Sequence, residues 1–142
     1  MAVEGSRMVV VDGRQVRLTN LGKVLYPATG TTKSEVISYY AEVAPVLLPL
    51  LWQRPVTRKR WPDGVGATGS SRVFFAKDLP KGTPAWVRRF PIQHSDHRND
   101  YPVVDDLATL TWLAQLAALE LHVPQWRFDT DGNPLRPDRL VL

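Results

Sequence analysis

The chain has 142 residues, 44% hydrophobic and 23% charged, with a formal net charge of +4. That length and composition describe one globular domain, or one large piece of a domain, and exclude a disordered chain. The absence of cysteine excludes disulfides, thiolate metal sites and cysteine nucleophiles, and the longest apolar run, Val43 to Trp52, is broken by Pro45 and Pro49 well short of the roughly 20 residues that span a membrane.

In chain order, Val9–Val11, Asp12-Gly13 and Arg14–Leu18 predict a hairpin, because Asp-Gly supplies the positive φ angles of a type I′ turn. Thr19 to Thr31 reads as a loop with one helical turn around Leu21–Tyr26. Thr32 with Glu35 fits the capping box, and Val36, Ile37, Tyr40 and Val43 recur at helical spacing, which predicts a helix over 33–43. Pro45 is expected to open a second short helix over Val46–Leu51. Val56–Trp61 and Val73–Ala76 predict strands, separated by the Gly/Ser-rich segment Asp63–Arg72, which reads as a mobile loop. Arg88–Gln93 and Tyr101–Val104 predict two more strands, joined by the polar segment His94–Asp100. Asp105 or Asp106 caps an expected helix over 106–120. Val123–Phe128 and Leu140–Leu142 are the last strand candidates. The mixture predicts an α+β fold in a single domain over residues 1–142, with a mixed or antiparallel sheet and a few flanking helices.

Charge is concentrated in the middle of the chain. Residues 54–89 hold nine Lys/Arg against two Asp/Glu, whereas residues 90–142 hold four against eight. Such a basic stretch suggests a polyanion-binding face, although a solvated face would give the same count. Its densest part is Arg58-Lys59-Arg60-Trp61. On a strand, Arg58 and Arg60 share one face and Lys59 and Trp61 the other. Cations on both faces call for anionic partners, which nucleic-acid phosphates or a nucleoside triphosphate would supply. The nearby Phe74-Phe75 pair adds stacking surface. His94 and His97 flank Asp96 at a spacing that can chelate metal, but no third ligand is evident, so a loop without metal is expected. The Gly-rich segment has neither a P-loop ending nor a dinucleotide fingerprint, and no catalytic triad can be assembled.

Four segments go further. Residues 18–33 (LTNLGKVLYPATGTTK), 54–62 (RPVTRKRWP), the Phe74-Phe75-x-Lys77 element and residues 119–126 (LELHVPQW) together resemble the opening of the bacterial ligase D polymerase domain, the primase-polymerase family of non-homologous end joining, and its mycobacterial members above all. The resemblance runs over nearly the whole chain. It implies a primase-like core that adds nucleotides, preferably ribonucleotides, at DNA breaks, working with the Ku protein and a DNA ligase domain in a bacterial cytoplasm, at the nucleoid and away from membranes. Position by position it implies that Asn20, Lys23 and Lys33 hold a downstream 5′-phosphate. Lys33 would sit at a helix start whose free N–H groups favour an anion. It further implies that Phe74 and Phe75 contact the template, that Arg60 lies on the DNA side, and that Lys59 and His122 lie near the incoming nucleoside triphosphate. The 94–101 segment matches a loop that brings two ends together, but it departs from the family pattern and no residue role is transferred to it.

In that family a strand beginning Arg-Leu-Val runs into Asp-x-Asp, whose carboxylates bind catalytic manganese or magnesium. Here Leu140–Leu142 closes the sequence, so no catalytic residue and no metal ligand is assigned. The expectation is a polymerase-family portion that binds 5′-phosphorylated DNA ends or gaps and is inactive alone. The alternatives are a nucleotidyltransferase completed by a second chain, or a non-catalytic assembly module for Ku or ligase.

Overall fold

A computed structural model describes residues 5–66 and 72–142 as small antiparallel sheets around two helices. β1 (Arg7–Val11) pairs with β2 (Arg14–Leu18) across Asp12 and Gly13, whose φ angles of 48° and 72° are those of the expected turn. Val16 and Leu18 point into the core while Arg14 and Arg17 stay in solvent. The next segment differs from expectation. Asn20 takes a left-handed φ of 55° and its carbonyl accepts the Lys23 N–H at 3.0 Å. This tight turn leads into β3 (Val24–Tyr26), paired with β4 (Thr31–Thr32), in place of a helical turn.

Helix α1 (Lys33–Leu51) begins at the predicted capping box: Thr32 Oγ1 accepts the Glu35 N–H and the Glu35 carboxylate accepts the Thr32 N–H. It then runs unbroken through Pro45 and Pro49, where two helices were expected. Proline removes the bond to the carbonyl four residues earlier, which frees the carbonyls of Ala41 and Pro45. Ala41, Pro45 and Pro49 all lie on the exposed face, one turn apart, where water can take those carbonyls. Ala44 and Leu51 on the other side stay buried.

The basic segment forms β5 (Thr57–Arg60), and β6 (Phe74–Ala76) follows the Gly-rich stretch. The centre of that stretch, residues 67–71, lies outside the described residues, as does its expected mobility. β7 (Arg89–Gln93) and β8 (Arg98–Pro102) make a hairpin, so the last three residues of the polar segment expected to be loop, Arg98 to Asp100, are strand, and the remaining turn closes with the His94 N–H on the His97 carbonyl at 2.7 Å. Helix α2 (Leu107–Gln115), capped by Asp106, is shorter than expected. Ala117 adopts a left-handed φ of 55°, and the chain turns into β9 (Ala118–His122). Pairing with β5 outweighs the helical pattern of Ala117, Ala118 and Leu121. The resulting sheet has the order β6-β5-β9, with a bulge opposite Lys59 and Arg60.

Every residue of α2 from Ala108 to Ala114 is buried, as befits a central helix. It packs with Val16, Leu18, Leu25, Val36 and Tyr40 into one apolar core. The Tyr40 hydroxyl, at 2.5 Å from the Ala118 carbonyl, ties α1 to the start of β9. The last two strand candidates are not strands: Phe128 makes a single bridge to Pro134, and Leu140, Val141 and Leu142 are exposed, with no strand beside them among the described residues. The tail is held instead by Asp138, which forms an ion pair with the buried Arg54 at 2.8 Å.

Candidate nucleic-acid interface

Alternation along β5 distributes the basic cluster over two faces, as a strand must. Opposite β5, the partners are Phe74 for Arg60, Phe75 for Lys59 and Ala76 for Arg58. Arg60 stacks on Phe74 with its guanidinium 5.2 Å from the ring centre. On the other face the Lys59 ammonium lies between Trp61 (4.9 Å) and Phe75 (5.3 Å). His122 joins that second face, edge-on to Phe75 at 5.5 Å, and its Nε2 meets the Glu120 carboxylate at 2.8 Å. Glu120 and His122 share a face only because the helix has already ended. Phe74 and Phe75 thus serve opposite sides of the sheet.

Arg58 corrects the sequence reading. It is fully buried, and its guanidinium donates to the carbonyls of Val56 (2.9 Å), Lys77 and Asp78. Backbone oxygens do what an external anion was expected to do. Burial first, and then the neighbouring Arg60, bring its pKa down to about 10. Arg54 is likewise structural, and Arg89 donates to the carbonyls of Val87 and Pro84. Part of the basic excess of residues 54–89 is therefore internal scaffolding rather than interface.

The remaining cations converge. Asn20, Lys23, Lys33 and Arg60 line one polar cavity of about 270 Å³, together with Thr19, Arg72 and Gln115. Arg72 and Gln115 were not singled out from sequence. Arg72 was visible only as one more charge in the basic segment, and Gln115 had no signal beyond its place at a helix end. Gln115 fixes the cavity wall through paired bonds with Thr19, at 2.9 Å to its N–H and 2.6 Å to its hydroxyl. Lys33 is 6% exposed; burial, then Lys23, then Arg60 hold its pKa below the usual lysine range. Burial and then Arg72 do the same to Arg60.

The helix start differs from expectation in one respect. The Lys33 N–H donates to the Lys23 carbonyl (2.8 Å), the Ser34 N–H to the Leu21 carbonyl (3.0 Å) and the Glu35 N–H to Thr32. Those backbone groups are spent within the protein, so an anion here would be held by side chains. A bound negative charge would relieve every unfavourable term in such a pocket of mutually repelling, half-dehydrated cations at once, so the arrangement favours an oxyanion.

The polar hairpin turn holds His94 near the Tyr101 hydroxyl (3.1 Å), stacked on His97 at 4.7 Å. Among the described residues no three His, Asp or Glu side chains are grouped to hold a metal ion. The manganese or magnesium that the family resemblance implies has no fitting residue set among them. No helix is long and apolar enough to cross a membrane.

The geometry describes a cationic, aromatic-flanked surface of the kind that follows a nucleic-acid backbone. Comparison with known proteins makes the class definite. Residues 32–142 match the family described as LigD, primase-polymerase domain, and the chain belongs to that family. It is 50% identical over 128 residues to the multifunctional non-homologous end joining protein LigD of Mycolicibacterium smegmatis, covering 90% of this chain and 16% of that protein. The LigD repair protein of Mycobacterium tuberculosis is 51% identical over 134 residues, covering 91% of this chain and 17% of the relative. The bifunctional LigD of Bacillus subtilis is 36% identical over 128 residues, covering 90% and 19%. The chain thus spans less than a fifth of these relatives. Among solved structures it resembles the polymerase domain of Mycobacterium tuberculosis ligase D in complex with DNA, with a TM-score of 0.76 and 49% identity, covering 84% of this chain and 42% of that one. The α+β class agrees with that structure.

Proposed function

We propose that this chain binds DNA ends or gaps by recognising a 5′-phosphate, as part of a primase-polymerase that adds nucleotides, preferably ribonucleotides, at breaks during end joining. One observation carries the reading: Asn20, Lys23 and Lys33, matched to a phosphate site by sequence alone, line a single cavity with Arg60, and Lys33 is buried there. Among the described residues no carboxylate lies within ion-pair distance of Lys33; a cation buried without one is costly, and a terminal phosphate would offset that cost. Phe74 and Arg60 would meet DNA on the cavity's side of the sheet. Lys59 and His122, flanking Phe75, would face an incoming nucleoside triphosphate on the other. Ku and a ligase domain remain the expected protein partners.

The test is binding of a gapped duplex with and without its recessed 5′-phosphate. The phosphate should raise affinity, and Lys23→Ala or Lys33→Ala should each remove about 1.5–3 kcal/mol of that gain. Equal affinity of the unmutated chain for both duplexes would overturn the proposal and leave the assembly-module reading in its place.

A further inference from the structure

One carboxylate pairs with a cation that lines the cavity. Among the described residues, Asp63 is the only acidic side chain within ion-pair distance of Lys23, Lys33, Arg60 or Arg72: its Oδ1 lies 3.6 Å from the Lys23 ammonium. Its Oδ2 accepts the backbone N–H of Arg72 at 3.4 Å. Asp63 is held there by construction. Trp61-Pro62-Asp63-Gly64 is a tight turn closed by the Gly64 N–H on the Trp61 carbonyl (3.0 Å), with proline and glycine at the positions such turns favour. The Val65 N–H pins the turn to the Leu25 carbonyl of β3 at 2.7 Å. Gly64 has a φ of +91°, and a Cβ there would come within 3.1 Å of the Val24 carbonyl oxygen, so the turn sits against β3 too closely for a side chain.

From this geometry we infer that Asp63 is the resident counter-ion of the cavity, a carboxylate that pairs with Lys23 while the site is empty and gives Lys23 up to an incoming phosphomonoester. The inference rests on the 5′-phosphate reading of the cavity and adds a competitor to it. Both members of the Lys23–Asp63 pair are more than a third exposed, which makes the contact weak and exchangeable. A terminal phosphate brings up to two negative charges and three acceptor oxygens, enough to engage Lys23 and the buried Lys33 together. Asp63 therefore lowers affinity for the ligand while keeping the empty cavity's charge partly balanced.

The experiment is a double-mutant cycle on the full 142-residue chain, using the gapped duplex with a 5′-phosphate or a 5′-hydroxyl. Asp63→Asn should tighten binding of the phosphorylated duplex about two- to fivefold, the range expected for losing a half-exposed competing pair. It should leave the hydroxyl duplex unchanged within the error of the measurement, and it should give no gain in a Lys23→Ala background. An equal gain for both duplexes, or a gain that survives Lys23→Ala, would reduce Asp63 to general charge repulsion and overturn the inference. So would unchanged binding by Asp63→Asn. Failure of the underlying phosphate reading looks different, because the unmutated chain would then already fail to distinguish the two duplexes.

Discussion

Lys33 concentrates the electrostatic strain of the cavity. It is a buried cation at the first position of a helix, where the macrodipole favours anions, and burial together with Lys23 and Arg60 lowers its pKa. Ligand binding should reverse this, so the protonated form binds better. A phosphomonoester gains its second charge near pH 6, roughly. The affinity ratio between phosphorylated and hydroxyl duplexes should therefore rise as pH passes about 6. It should decline again at alkaline pH, earlier than an ordinary lysine would require, and a ratio that stays flat into the alkaline range would remove Lys33 from the contact. The sign for folding is opposite. Between the lowered native pKa and the ordinary 10.5 the unfolded chain holds more protons, so this group's contribution makes the free protein more stable as pH rises through that window. Lys33→Met should accordingly raise the Tm of the free chain by a few degrees, about 1 kcal/mol, while abolishing most of the phosphate gain; calorimetry of the variant checks it. The two arginines on the same strand face should behave unlike each other. Arg60→Ala should reduce the slope of log K against log salt by about one unit. Arg58→Met should leave the slope alone and destabilise the fold by about 3 kcal/mol, since it strands buried carbonyls.

At the scale of elements, β6 offers a clean separation. Phe74 and Phe75 lie on opposite faces of the sheet, beside Arg60 and Lys59 respectively. If each stacks on a different base, Phe74→Ala and Phe75→Ala should each cost about 1–3 kcal/mol of single-strand affinity, and the double variant should lose close to the sum. A strongly sub-additive loss would mean that both rings serve one base. What was legible in the sequence follows the same division into local and non-local causes. The first hairpin and the start of α1 were readable because Asp12-Gly13 and Thr32–Glu35 specify their own geometry. The end of α2 was not, because only pairing with β5 forces Ala117 into a left-handed turn. The two prolines of α1 misled because their cost depends on which side faces water. In the site, alternation correctly divided Arg58 and Arg60 from Lys59, but it could not say that Arg58 would point into the protein. The roles proposed for Asn20, Lys23 and Lys33 came from family likeness, with no spacing pattern to suggest them.

For the whole molecule, the cavity draws Asn20 and Lys23 from one turn, Lys33 from a helix, Arg60 from the central strand and Arg72 from the end of the Gly-rich stretch. No short piece of chain contains it. Phosphorylated DNA should bind only the folded state and raise its Tm with concentration, by about 2.7 kcal/mol of apparent stability at a hundredfold excess over Kd. A shift of the same size with hydroxyl-ended DNA would place the stabilisation outside the cavity. β5 adds a different constraint. Lys59 and Arg60 are sequence neighbours, with Cα atoms about 3.8 Å apart, yet they serve opposite sides of the sheet. The strand therefore has a parity. Inserting one residue between Arg58 and Lys59 would swing the lysine toward the cavity and the arginine toward His122, while inserting two would restore both. Substitution can vary the side chains of this strand one at a time, but a change of its length by an odd number would exchange what faces the cavity with what faces His122.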